Sequence, residues 1–374
     1  MSPPRASIHV LMTTDAVGGV WTYCLDLIEA TRPHGVRYTL ACLGPPPSDA
    51  QRQRAAKLDN LRLECMECKL EWMAGPWEDV EASARWLRTL EARDLPDVVH
   101  LNGYSHGSAG FRAPVLVVAH SCVLSWWRAV KGAEAPPEWD EYRRRVSAGL
   151  ARAAQVVAPT AAMLGEVRRL YSPRATSRVI PNGRSHARPV AAPRGPVVAS
   201  VGRVWDEAKN LAAVARAAQE IPWPCVVAGD ATLPGGASTR LENVQLLGQA
   251  APERVWELLE RSWIFAHPAR YEPFGLAPLE AALAGCALVL GDIPSLREVW
   301  GDAATYAHPD DGAGLAHELR RLIEDESLRT AMAQRAGWRA RRYSAEAFGR
   351  AYASLYSEMT ARRARETGML TFAQ

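Results

Sequence analysis

Short apolar runs rich in β-branched residues alternate with longer amphipathic segments along this chain, and that alternation restricts the fold more than any other feature. In the first half such runs stand at 8–12, 38–43, 98–101, 115–119 and 156–158. They return at 197–201, 225–228, 244–247, 263–266 and 287–290 in the second. Each has the length of a strand, and an unbroken apolar run suits a strand covered on both faces. The segments between them, such as 20–31 and 80–93, carry apolar residues three and four apart, as helices do when they cross over a parallel sheet. The expected class is therefore α/β, with two Rossmann-like βαβ domains.

A length of 374 residues agrees with two domains, since a single core seldom grows beyond ~250–300 residues. The 44 basic and 41 acidic side chains leave a formal charge of only +3, too even a balance for a protein that tracks the phosphates of a nucleic acid. No nucleic acid partner is expected, and any anionic ligand must be met by a few local cations. Seven cysteines, odd in number and mostly solitary, fit a reducing cytoplasm. Cys65 and Cys68 form a C-x-x-C pair with neither a second pair nor a suitably spaced histidine, so zinc and redox chemistry are not expected of them. The first seven residues lack the apolar stretch of a signal peptide, and no stretch approaches the ~20 apolar residues of a membrane span. No transmembrane segment is expected, and any contact with a membrane would be peripheral.

A stretch rich in Pro, Ala and Arg at 186–196 has no hydrophobic period and reads as a linker. It divides an N-terminal domain, 1–185, from a C-terminal domain, 197–343. The tail, 344–374, is helical in pattern, with Phe348, Tyr352, Leu355 and Met359 on one face, and is expected to pack back across the domain junction.

Ligands of open α/β sheets bind beyond the carboxyl ends of the strands. Gly18 and Gly19 follow the first run and let backbone approach an anion at a helix start, although glycine at such a turn also serves geometry alone. Asn102 and His120 end later runs; a strand-end histidine held by structural hydrogen bonds is the plain alternative for His120. Gly202 and Arg203 open the second domain, with Lys209 at the next helix start, and two such cations can neutralise one diphosphate unless Glu207 merely pairs with them at the surface. The densest segment runs from Arg270 to Gly285. Gly275 permits a tight turn, Pro278 suits a first helical turn and Gly285 a C-terminal cap, so a short helix should begin near Ala277 with unpaired amides at Leu276 and Ala277. Glu272 and Glu280 flank that anion site; carboxylates there can accept bonds from sugar hydroxyls or simply complement the helix dipole.

In this order the residues resemble the family 4 retaining glycosyltransferases (glycosyl transferases group 1), which have the GT-B fold. Glu272-Pro-Phe-Gly-Leu-x-Pro-Leu-Glu280 matches the E-x7-E motif of that family, and Ile180-Pro181-Asn182-Gly183, Gly202-Arg203 with Lys209, and 244–248 fall where family segments are expected. The Gly291-Asp292-Ile293-Pro294 segment departs from the commoner form, which has consecutive glycines before Ile-Pro-Glu. The resemblance implies two Rossmann-like domains facing each other across a cleft, with the C-terminal helix crossing back to the N-terminal domain. It implies a nucleotide-diphosphate sugar donor, UDP- or GDP-linked, held by the C-terminal domain and an acceptor held by the N-terminal one.

By position, Arg203 and Lys209 would contact the diphosphate, Glu280 the ribose and Glu272 the hydroxyls of the donor sugar. Gly202, Leu247, Phe274 and Gly275 would complete the donor site, with amides from Leu276 and Ala277. The Gly18-Gly19 loop would close over the phosphates or the acceptor, and His120 would face the donor sugar. The catalytic set implied is Glu272, His120, Arg203 and Lys209. No metal and no cofactor are implied, in agreement with the lack of an Asp-x-Asp pair. Stacking on an acceptor by Trp126 and Trp127, with Asn102 and Tyr104 nearby, stands against ordinary packing of these residues. The acceptor, whether carbohydrate, lipid-linked or a small molecule, is not named by these residues. Three other readings compete: a nucleotide-sugar 2-epimerase of the same fold, a catalytically inactive nucleotide-sugar-binding subunit, and a dinucleotide-dependent oxidoreductase. The last would need a G-x-G-x-x-G after a strand, which the chain does not have.

Overall fold

A computed structural model describes residues 7–185, 193–232 and 239–371, with side chains as far as 365. Most of the expected linker, 186–192, and the extreme termini, 1–6 and 372–374, lie outside the described residues. The chain forms two compact units. One comprises Met1–Ser125, Glu134–Gly183 and Ala345–Gln374, the other Trp126–Ala133 and Arg184–Ser344.

The first unit is built on a seven-stranded sheet of β1 (Ile8–Thr14), β2 (Val36–Leu43), β3 (Leu61–Met66), β4 (Val98–Leu101), β5 (Val115–Val118), β6 (Gln155–Ala158) and β7 (Thr176–Val179). Their order is β3-β2-β1-β4-β5-β6-β7, and every pairing is parallel. Parallel strands covered by helices on both faces need apolar side chains on both faces, and Leu11, Met12, Val99, Leu101, Val117 and Val157 are all fully buried. Helix Gly19–Thr31 covers one face with Trp21, Cys24, Leu25 and Ile28, at the spacing of a helical stripe. On that same face lies the long C-terminal helix Ala345–Thr371, which presents Phe348, Tyr352, Leu355, Tyr356 and Met359 and packs against Gly19–Thr31. Burying one such side chain contributes about 1.5–3 kcal/mol, so this helix is an integral layer of the N-terminal unit. Thr160 caps the helix Ala161–Tyr171 by accepting a bond from the Met163 amide at 3.1 Å.

The second unit has six parallel strands: β8 (Gly195–Val201), β9 (Cys225–Ala228), β10 (Gln245–Leu246), β11 (Ser262–His267), β12 (Ala287–Gly291) and β13 (Thr305–Ala307). They run in the order β10-β9-β8-β11-β12-β13. In each sheet the strand order reverses beside its first strand, between β1 and β4 and between β8 and β11. A crevice opens at the carboxyl ends on either side of such a reversal, which is where open α/β sheets bind ligands.

The central strands fall where the apolar runs predict them. Three edge strands do not announce themselves: β3 and β7 consist of half-buried and exposed residues, and β13 is three residues long. An edge strand is covered on fewer sides and so needs no continuous apolar run.

Candidate active site

At the reversal of the second sheet, β8 runs out into Gly202 and Arg203, and β11 runs out through His267 into the loop that carries Glu272. Lys209 reaches across from the segment after β8, with its Nζ 2.6 Å from Oε2 of Glu272. Nε2 of His267 lies 3.0 Å from the same oxygen. The Lys209 stem rests against Gly202, where an added Cβ would stand 3.3 Å from its Cγ, so glycine is what leaves room for it. The backbone of Glu272 is tied as well, its carbonyl accepting a 2.5 Å bond from the hydroxyl of Ser295. Burial alone would raise the Glu272 carboxyl, but the Lys209 ammonium and the His267 bond win and hold it well below the usual carboxylate range. Glu272 is thus an ionised group that accepts hydrogen bonds only.

Asn210, next to Lys209, takes a left-handed conformation (φ 54°), which asparagine tolerates better than most residues. Its amide donates to the carbonyls of Pro268, at 2.9 Å, and Pro309, at 2.7 Å, and so clamps the loops after β11 and β13 to the start of the next helix. Arg270 adds a 2.8 Å bond to Oδ1 of Asn210 and binds Asp310 through two nitrogens. Lys209 is therefore carried on a pinned turn.

Helix Leu276–Leu283 follows Gly275, whose φ of 92° brings the chain into the first turn and which supplies no capping side chain. The amides of Leu276 and Ala277 stand at that N-terminus, where the helix dipole favours an anion. Glu280, on the same helix, pairs with Arg184, the Nε to Oε1 distance being 2.8 Å with both side chains largely buried. Phe274 has its ring in the core, edge-on to Tyr343 at 5.4 Å. Leu247 continues from β10, its amide donating to the carbonyl of Val227.

Arg203 pairs within its own turn. Its Nη2 lies 2.6 Å from Asp206, and its guanidinium covers the Trp205 ring at 4.9 Å, with more than a third of the side chain exposed. Glu207, the alternative partner weighed from sequence for these cations, pairs instead with Lys131 at 2.6 Å.

In the first unit the corresponding reversal collects Gly18, Gly19, Asn102 and His120. Gly18 is the extended residue before helix Gly19–Thr31, and Asp15 accepts a bond from the Val17 amide in the preceding turn. His120 Nε2 lies 2.8 Å from Oδ1 of Asn102, and Tyr23 sets its ring edge-on to the imidazole at 4.4 Å. Tyr104 is buried, with its hydroxyl donating to the Ser121 carbonyl and its amide held by Glu71. Trp126 and Trp127 belong with the second unit and pack edge to face at 5.9 Å with Lys131 over the Trp126 ring. Among the described residues no group of three or more His, Cys, Asp or Glu side chains is placed to hold a metal ion. No helix among them is long and apolar enough to cross a membrane.

Neither Arg184 nor His267 is among the site residues expected from sequence. Each had a positional signal, Arg184 directly after Asn182-Gly183 and His267 as the last residue of a strand. Neither signal names a carboxylate partner: that of Arg184 is distant in sequence, and that of His267, five residues on, is met only because the loop after β11 turns back.

The family model described as glycosyl transferases group 1 matches residues 184–338. The model for glycosyltransferase family 4 matches residues 17–188. O-antigen chain mannosyltransferase B of Escherichia coli is 32% identical over 108 residues, 29% of this chain and 28% of that protein. Glycogen synthase of Mycobacterium tuberculosis is 37% identical over 87 residues, 23% of this chain and 21% of that one. These matches span less than a third of the length of either curated relative. Among solved structures, sucrose-phosphate synthase from Thermosynechococcus elongatus superposes with a TM-score of 0.78 at 18% identity, covering 95% of this chain and 100% of that one. HepE from Anabaena, solved in complex with UDP and glucose, does so with a TM-score of 0.72 at 19% identity, covering 93% and 99%. The chain has the fold of these two structures. It is related through its two halves to the group 1 and family 4 glycosyltransferases.

Proposed function

We propose that this protein is a retaining glycosyltransferase that moves a sugar from a UDP- or GDP-sugar to an acceptor hydroxyl without a catalytic metal. The observation that carries this reading is the cluster of Lys209, Glu272 and His267 at the reversal of the second sheet, beside the uncapped start of helix Leu276–Leu283. An ionised Glu272 accepts bonds from the hydroxyls of a donor sugar and, kept charged by Lys209, cannot act as a general acid at neutral pH. Glu280, oriented by Arg184, accepts from the vicinal hydroxyls of the ribose. The anomeric bond breaks towards the diphosphate, which gains charge as it leaves. Arg203, Lys209 and the amides of Leu276 and Ala277 stabilise that charge in place of a divalent ion. The acceptor hydroxyl attacks on the face the diphosphate leaves, and its proton passes to a phosphate oxygen, so the anomeric configuration is kept and no separate base is required. In the first unit, the same reading takes His120 as a contact of the donor sugar and the Gly18-Gly19 turn as a contact of the phosphates or the acceptor. The relatives support a nucleotide-sugar donor, since HepE was solved with UDP and glucose, and a trehalose-6-phosphate enzyme of Escherichia coli with UDP-2-fluoro glucose superposes with a TM-score of 0.68.

The test is a thermal-shift screen of nucleoside diphosphates and nucleotide sugars in EDTA, followed by NMR of the product anomer. A ligand at 100 times its Kd should stabilise the protein by ~2.7 kcal/mol. Absence of any nucleoside diphosphate response, a need for divalent metal in transfer, or an inverted product would each sink the proposal. A new epimer formed from the nucleotide sugar alone would replace transfer by epimerisation.

A further inference from the structure

Two histidines share one amide oxygen in the core of the first unit. Nε2 of His120 lies 2.8 Å from Oδ1 of Asn102, and Nε2 of His100 lies 3.2 Å from it. The other end of the Asn102 side chain decides which atom is the oxygen. Its Nδ2 stands 2.7 Å from the backbone carbonyl of Thr13, which can only accept, and 3.2 Å from the sulfur of Cys24. The backbone amide of Asn102 donates to Oγ1 of Thr13 at 2.9 Å, so the whole residue is held by β1. With the nitrogen committed to Thr13, the oxygen faces both imidazoles, and a carbonyl oxygen accepts from two donors. Both Nε2 atoms must then carry hydrogen.

The chain continues to the C-terminal helix. Tyr356, fully buried, sets its hydroxyl 2.7 Å from Nδ1 of His100, and Tyr352 stacks on the His100 ring at 5.5 Å with the planes 12° apart. A neutral imidazole with hydrogen on Nε2 has a lone pair on Nδ1, which is what a tyrosine hydroxyl needs as an acceptor. Burial holds both imidazoles down, to about 3, so each is neutral throughout the physiological range. The titratable groups around the pair are Tyr23, Cys24, Tyr352 and Tyr356, all neutral there.

We infer that Asn102, His100 and Tyr356 form a positioning chain that locks His120 as the neutral tautomer with hydrogen on Nε2, so that its Nδ1 is an acceptor for a ligand hydroxyl. The ligand half of this inference rests on the reading of His120 as a contact of the donor sugar. His120 then receives a hydrogen bond and lends no positive charge, which suits it to sugar hydroxyls and not to phosphates. The C-terminal helix, some 250 residues from β4 in sequence, becomes a part of the site through Tyr356. It reaches His120 only through two intervening side chains, so Tyr356 and His100 are positioning residues.

The experiment is ring-nitrogen NMR of the full-length protein labelled with 15N-histidine, the signals being assigned with His100→Gln and His120→Gln. His120 and His100 should each show a protonated Nε2 and an unprotonated Nδ1, unchanged from pH 5 to pH 8. Tyr356→Phe removes the donor to His100 Nδ1 and should turn the His100 signals into a tautomer mixture and move those of His120. Asn102→Asp puts a carboxylate in place of the shared oxygen and should convert His120 to the doubly protonated ring near neutral pH. A His120 protonated on Nδ1, or one taking up a proton between pH 6 and 7 in the unaltered protein, overturns the inference. So does a Tyr356→Phe protein with an unchanged far-UV spectrum and both histidine signals as before. The ring signals are read without substrate. Failure of the transferase reading leaves the Nε2 signature in place, whereas failure of the tautomer lock abolishes it.

Discussion

Lys209 sets its ammonium 2.6 Å from the carboxylate of Glu272, a residue 63 positions further on, and the two side chains keep only 20% and 13% of their exposure. An ion pair at that depth has given up much of its hydration, so either charge left alone is costly, while the pair together is close to balanced. The same pair keeps Glu272 ionised and draws part of the Lys209 charge away from a bound phosphate, leaving Arg203 and the helix amides a larger share of that task.

Lys209→Met should destabilise the protein by about 2–3 kcal/mol, at or below the low end for breaking a buried pair because both side chains keep some access to water. Adding Glu272→Gln to it should recover part of that loss. Urea unfolding of the two single variants and the double checks this, and strictly additive losses would show that the pair is not coupled.

Glu272 also predicts the acid limb of stability. Its carboxyl is held below the ordinary range in the folded protein, whereas an unfolded glutamate titrates near ~4.3. Its contribution is therefore complete above that value and is lost as pH falls below it. The melting temperature of the unaltered protein should fall more steeply from pH 5 to pH 3 than that of Glu272→Gln, and parallel curves would contradict the ion pair.

Arg184→Met removes the cation that orients Glu280. If Glu280 binds the ribose, affinity for a nucleoside diphosphate should drop by roughly 10-fold, equivalent to ~1.4 kcal/mol, while the affinity for inorganic pyrophosphate stays as it was. Titration calorimetry with both ligands separates loss of the ribose contact from a general collapse of the site.

Gly275→Ala should cost about 1–2 kcal/mol, since φ is 92° there and an added Cβ would lie 3.1 Å from Cγ of Pro278 and 3.4 Å from Cγ of Glu272. A lowered melting temperature together with weakened diphosphate binding is expected. A melting temperature equal to that of the unaltered protein would mean that the turn relaxes at no cost.

Much of this architecture is legible in the chain because its signals are local. The runs at 225–228 and 98–101 coincide with β9 and β4, since a central parallel strand needs apolar residues on both faces. Gly275, Pro278 and Gly285 punctuate a helix found at Leu276–Leu283, one residue from its expected start. The edge strands Leu61–Met66 and Thr305–Ala307 escape notice because nothing local distinguishes a half-exposed strand from a loop.

Sequence alone determined two Rossmann-like domains, a short helix starting near Ala277, and the carboxylates Glu272 before it and Glu280 within it, for these follow from hydrophobic period and from what glycine and proline permit within a few residues. Only the tertiary structure decided which groups meet: that Lys209 and His267 converge on Glu272, that Arg184 holds Glu280, that Arg203 turns to Asp206, and that Tyr356 of the last helix reaches His100 on β4. Most of these partners are distant in sequence, up to 256 positions apart. A charge or hydroxyl records its own chemistry in the sequence but not its partner, which is chosen when packing brings distant strands and helices together and burial makes an unpaired polar group costly.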